Sequence, residues 1–106
     1  MVKKKLRIIW NDEAKNALKS IYNYIKREES ADRAKKVRTE IVESARNLNV
    51  FPEKFAEDPY LKDEPGNYRF KVIWSYKIIY EITPETIMIL DVFHTSRNPD
   101  DISGNK

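Results

Sequence analysis

The chain has 106 residues, 41% apolar and 35% charged, with two Trp, six Tyr and four Phe, which suits one compact domain and is too short for two with useful cores. It has no Cys, one histidine (His94) and two glycines (Gly66, Gly104), so a disulfide framework, a thiolate nucleophile, a Cys/His zinc site, a Walker loop and a dinucleotide fingerprint are all excluded. Twenty Lys and Arg against seventeen Asp and Glu give +3, and Lys3, Lys4 and Lys5 supply all of that excess, so the position of charge matters more than its total.

In chain order, Leu6 to Trp10 is rich in strand formers and is too short and too charged at its flank for a signal-peptide core or a membrane span. A cytoplasmic protein with no membrane partner is expected. Asn11, followed by Asp12 and Glu13, reads as the cap of a helix reaching about Glu29, in which Ala14, Ala17, Leu18, Ile21, Tyr22 and Ile25 recur at helical spacing. Ser30 caps a second helix with Ala34, Val37, Ile41, Ala45 and Leu48 as its apolar stripe, and the short joint makes the two an antiparallel hairpin. Asn49 to Asn67, with Pro52, Pro59, Pro65 and Gly66, reads as an irregular connection.

Strands are predicted at Tyr68–Trp74, Lys77–Ile82 and Thr86–Phe93. The class is α+β, order β-α-α-β-β-β, with the helix hairpin on one face of a mainly antiparallel four-stranded sheet. One domain over 1–106 is expected, with a flexible basic arm (1–5) and a flexible tail (98–106). A three-residue turn Trp74-Ser75-Tyr76 would set Arg69 opposite Glu81 and Lys71 opposite Ile79. It places Tyr68, Phe70, Val72, Ile78, Tyr80 and Ile82 on the core face and Arg69, Lys71, Lys77 and Glu81 on the outer one. In the last strand Met88, Leu90 and Val92 suit the core and Asp91 the open face.

The chain resembles the RelE/ParE superfamily of type II toxin-antitoxin toxins over nearly its whole length. The resemblance is carried by Arg7-Ile8-Ile9-Trp10 with Ala14 and Leu18, Tyr22 to Ile25, Tyr68-Arg69, Tyr76 to Ile82, and Val92 to Pro99. It implies a toxin neutralised by a cognate antitoxin. RelE-like members act with the ribosome to cleave mRNA; ParE-like members inhibit DNA gyrase.

RNA cleavage without a metal needs a base, an acid and cations that neutralise the phosphoryl oxygens. Arg69 and Arg97 can clamp phosphate, and His94 alone has an unperturbed pKa near neutrality, so Arg69, His94 and Arg97 form the candidate catalytic set. Lys71, Lys77 and Glu81 form the candidate substrate-binding set, with Glu81 held ionised and poorly basic by Arg69. The plainer readings are a cross-strand pair for Arg69 and Glu81, a strand-end cap for His94, and solvated charges for the lysines. Trp74 and Tyr76 could stack a base at an exposed turn. No metal or cofactor is expected. The first reading is a ribosome-dependent mRNA endonuclease whose partners are antitoxin, ribosome and mRNA. The alternatives are a non-enzymatic gyrase inhibitor, favoured by the absence of Tyr or Phe after Arg97 and by the acidic Asp100-Asp101, and a non-toxic relative.

Overall fold

A computed structural model describes residues 6–61 and 63–96, so Arg97, the basic arm and the tail lie outside the described residues. Strand β1 (Arg7–Trp10) runs into helix α1 (Asp12–Glu28), whose cap is Asn11: its Oδ1 accepts from the Ala14 N–H at 2.7 Å. Helix α2 (Ala31–Arg46) begins after a two-residue joint, with Ser30 Oγ accepting from the Arg33 N–H at 3.0 Å. Two 3₁₀ turns, Asn47–Asn49 and Pro52–Lys54, follow. The chain then forms β2 (Asn67–Ile73), β3 (Tyr76–Ile82) and β4 (Thr86–His94).

The sheet order is β1-β4-β3-β2, with β1 parallel to β4 and the other two pairings antiparallel. The α+β class and the element order are as the sequence predicts. Ile25, Val37, Ile41 and Leu48 from the helical half pack with Ile78, Tyr80, Ile87, Ile89 and Val92 in one buried cluster. A large apolar side chain fully buried in this way contributes about 1.5–3 kcal/mol.

The hairpin register differs from the expected one. Tyr68 faces Glu81, Arg69 faces Tyr80 and Ile73 faces Tyr76, which leaves a turn of two residues, Trp74 and Ser75. That turn is possible because Trp74 takes φ +56°, the only positive φ among the described non-glycine residues. A positive φ at the first central position alone is the pattern of a II′ turn, where glycine is usual. A bulky L-residue there costs about 1–2 kcal/mol.

The slip by one residue exchanges the faces of β2. Arg69, Lys71 and Ile73 share the helix-facing side with Ile78 and Tyr80, while Tyr68, Phe70 and Val72 lie on the other side with Lys77 and Glu81. Arg69 and Glu81 are therefore neither opposite each other nor on one face. A second correction falls in β4. An irregularity at Ile79/Tyr80 sets Asp91 opposite Ile79 but Ile89 opposite Tyr80, so Leu90 is an extra residue that shifts the alternation. Ile87 and Ile89, not Met88 and Leu90, join Val92 in the core.

Gly66, just before β2, has φ +137°, and a Cβ there would lie 2.7 Å from the Tyr68 ring. Gly66→Ala is expected to cost at least about 1 kcal/mol, read as a lower urea midpoint with an unchanged slope.

Candidate functional site

Two sites emerge at opposite ends of the central strands. Arg69 stands at the loop end. Its Nε donates to Asn67 Oδ1 at 3.0 Å, and one terminal nitrogen donates to the carbonyls of Phe55 at 2.6 Å and Glu53 at 3.2 Å. Next to it, the Tyr80 hydroxyl donates to the Pro52 carbonyl at 2.6 Å. Arg69 and Tyr80 thus fasten the Pro52–Lys54 turn to the sheet. Burial pushes the Tyr80 phenol up to about 12, an effect opposed in part by the Arg69 charge.

Lys71 lies along the same face. Its Nζ is 5.1 Å from the centre of the Phe55 ring, and Lys54 Nζ is 5.5 Å from the same ring. Burial lowers the Lys71 pKa, and the like charge of Lys54 lowers it further.

Lys77 stands on the other face, largely covered rather than fully solvated. Its Nζ lies 3.5 Å from Asp58 Oδ2, with side-chain exposures of 14% and 1%. The ammonium is 4.3 Å from the Phe70 ring centre, with Tyr60 and Phe93 also within 6 Å. Asp58 Oδ1 accepts from the Tyr60 N–H at 2.8 Å. The backbone on either side pairs with β2: Asp58 N–H donates to the Tyr68 carbonyl and Phe70 N–H to the Ala56 carbonyl. A strap at residues 55–60 therefore covers the β2 edge and encloses Lys77. Glu81 lies farther along this face, opposite Tyr68 and Met88.

His94 is at the turn end. Its Nδ1 accepts from the Ser96 N–H at 3.1 Å, which puts the proton of the neutral ring on Nε2. The ring stands edge-on to Tyr76, 5.5 Å between centres. These two rings wall a hollow of about 770 Å³ closed by Ser20, Asn23, Tyr24 and Arg27 of α1. Burial, then the charge of Glu29, raises the Tyr76 pKa.

The candidate residues therefore do not converge. Arg69 faces Tyr80 and His94 faces Tyr76, so their backbones are four residues and two strands apart, about 16 Å. Lys77 and Glu81 lie on the opposite face from Arg69 and Lys71, and Arg97 is outside the described residues. Sequence reasoning missed Asp58, for which the one available signal was the turn-forming Asp58-Pro59 pair. It also missed the α1 side of the His94 hollow. Among the described residues no group of three His, Asp or Glu could hold a metal, and no helix is long and apolar enough to cross a membrane.

The model of the ParE toxin of the type II toxin-antitoxin system parDE matches residues 8–99. The chain belongs to the ParE toxin family. It is thus a ParE-family toxin of a type II toxin-antitoxin system within the RelE/ParE superfamily, and a cognate antitoxin is its implied partner. A solved chain of the chromosomal ParDE TA system from P. aeruginosa is similar, with a TM-score of 0.72 at 22% identity over 85% of this chain and 96% of that one. At this identity the likeness bears on the fold. A comparison with curated proteins found no match.

Proposed function

We propose that this ParE-family toxin acts by binding and inhibiting DNA gyrase in the cytoplasm, without cleaving RNA. The observation that carries this reading is the state of Arg69. A phosphate clamp needs a guanidinium free to meet an anion, whereas this one donates to three oxygens, two of them the Glu53 and Phe55 carbonyls that tie down the Pro52–Lys54 turn. His94, the candidate proton carrier, is about 16 Å away across the sheet and faces α1. General acid-base chemistry requires such groups within hydrogen-bond reach of one reacting atom. Membership of the ParE family supports the same choice.

The test pairs two assays on one preparation. Supercoiling by purified gyrase is expected to stop in the presence of the toxin, while a defined mRNA in a translation extract gains no new 5′ ends. Ribosome-dependent cuts with unimpeded supercoiling would reverse the reading in favour of the endonuclease. In that case Arg69→Ala and His94→Ala should abolish the cuts.

A further inference from the structure

We infer that the end of the molecule at the β2–β3 turn is the surface that grips the gyrase target, with Trp74 as its anchor; this rests on the gyrase reading above. Trp74 is 51% exposed and stands outside the core cluster, yet its backbone is held at φ +56°, where glycine would be unstrained. Strain at a residue that gives the core nothing points to a use for the exposed side chain. Arg33 and Lys36, from the first turns of α2, lie 5.2 and 5.6 Å from the centre of its ring.

The surface continues beyond the turn. A hollow of about 160 Å³ beside Trp74 shares Tyr76 and His94 with the 770 Å³ hollow against α1. At the far side Tyr24 is 56% exposed, with Arg27 5.5 Å from its ring centre. Tryptophan, tyrosine and arginine are the residue types that supply most binding energy in protein interfaces. Among the described residues, the strap at 55–60 occupies the β2 edge, and the hollows at Ile8–Trp10 with Leu18 and Val42, about 420 Å³, and at Phe51–Lys54, about 230 Å³, are smaller than the one at Tyr76 and His94.

Charge selects the occupant. Arg27 and Arg33 make exposed pairs with Glu28 and Glu29 at 3.1 and 3.6 Å, contacts weak enough in water to be exchanged. A nucleic-acid backbone laid here would meet Glu28 and Glu29. A protein surface offering carboxylates on either side of an apolar side chain satisfies both features, with the carboxylates on Arg33 and Lys36 and the apolar group against the Trp74 ring.

The test is inhibition of purified gyrase by the toxin and by its Trp74→Gly, Trp74→Phe and Tyr24→Ala variants. Trp74→Gly accepts the positive φ, so it is expected to melt no lower than the parent and yet to need more than about tenfold higher concentration for half-inhibition. Trp74→Phe keeps a ring and is expected to fall between them, and Tyr24→Ala, which removes no core group, to weaken inhibition as well. If the parent inhibits gyrase and Trp74→Gly and Tyr24→Ala inhibit equally well, the surface is wrongly assigned while the gyrase reading stands. A parent that leaves supercoiling untouched removes both. Light scattering supplies the remaining alternative: a dimer that Trp74→Gly converts to monomer, with inhibition unchanged, assigns the surface to a second copy and overturns the inference.

Discussion

Asp58→Ala is expected to lower stability by about 3–5 kcal/mol, a large share of the roughly 5–15 kcal/mol that a domain of this size has. The carboxylate is 1% exposed, and its removal leaves the Lys77 ammonium enclosed by Phe70, Tyr60 and Phe93 with no counter-charge. The loss also takes the Tyr60 backbone bond that shapes the strap. Two further variants separate these effects. Asp58→Asn keeps an oxygen for the Tyr60 N–H but strands Lys77, so it should recover only a small part of the loss. Asp58→Asn with Lys77→Met removes both charges and should approach parental stability, because a buried pair replaced as a unit costs little. The check is a urea-denaturation cycle over the parent, Asp58→Asn, Lys77→Met and the double variant, in which a coupling near zero would refute a shared charge pair. Little change with added salt is also expected, since buried pairs are weakly screened.

Tyr80→Phe is expected to cost about 1–3 kcal/mol at neutral pH, because the Pro52 carbonyl loses its 2.6 Å hydroxyl donor in a buried setting. Its pH dependence is more telling. The folded-state pKa of Tyr80 is raised from 10.0 to about 12, so below pH 10 neither state ionises it. Between pH 10 and 12 the unfolded chain releases a proton that the folded chain keeps, and stability falls as pH rises, by about 2–3 kcal/mol for this group. The variant lacks that loss. Tyr76, also raised, gives a fall of the same sign, while the lowered Lys71 gives a rise; both are common to the two proteins and cancel in their difference. Denaturation midpoints from pH 8 to 12 should therefore show the gap between parent and variant closing as pH rises. A gap that stays constant would mean that Tyr80 ionises alike in both states.

Helices, strands and their order were legible in the sequence because each has a local cause. Asn11 and Ser30 are side-chain caps that act within three residues, and both do so in the structure. The hairpin register was not legible, because its determinant is a tryptophan in a conformation for which turn rules expect glycine. The burial penalty that argued against this register is answered from a distance. Arg69 finds its acceptors 14 and 16 residues upstream, on backbone carbonyls that any sequence would present. The same holds for Lys77, whose partner Asp58 is 19 positions away in a stretch that reads as loop (77 − 58 = 19). Residue types at the candidate site were thus visible, whereas their distribution over two faces depended on a single turn.

The parallel pairing of β1 with β4 has a consequence for synthesis. Arg7 to Trp10 are made early, but their sheet partners, Thr86 to Ile89, emerge only after the helix hairpin, the strap and two other strands. Until then β1 has no neighbour on which to lay its backbone, and Ile8 and Trp10 have no sheet to cover. Contacts of such long sequence separation close late. A growing polypeptide is therefore unable to assemble the sheet, and with it the turn-end surface built on Tyr76 and His94, before β4 has left the ribosome. For a chain of the ParE toxin family, the complete fold is therefore reached only once synthesis has passed β4.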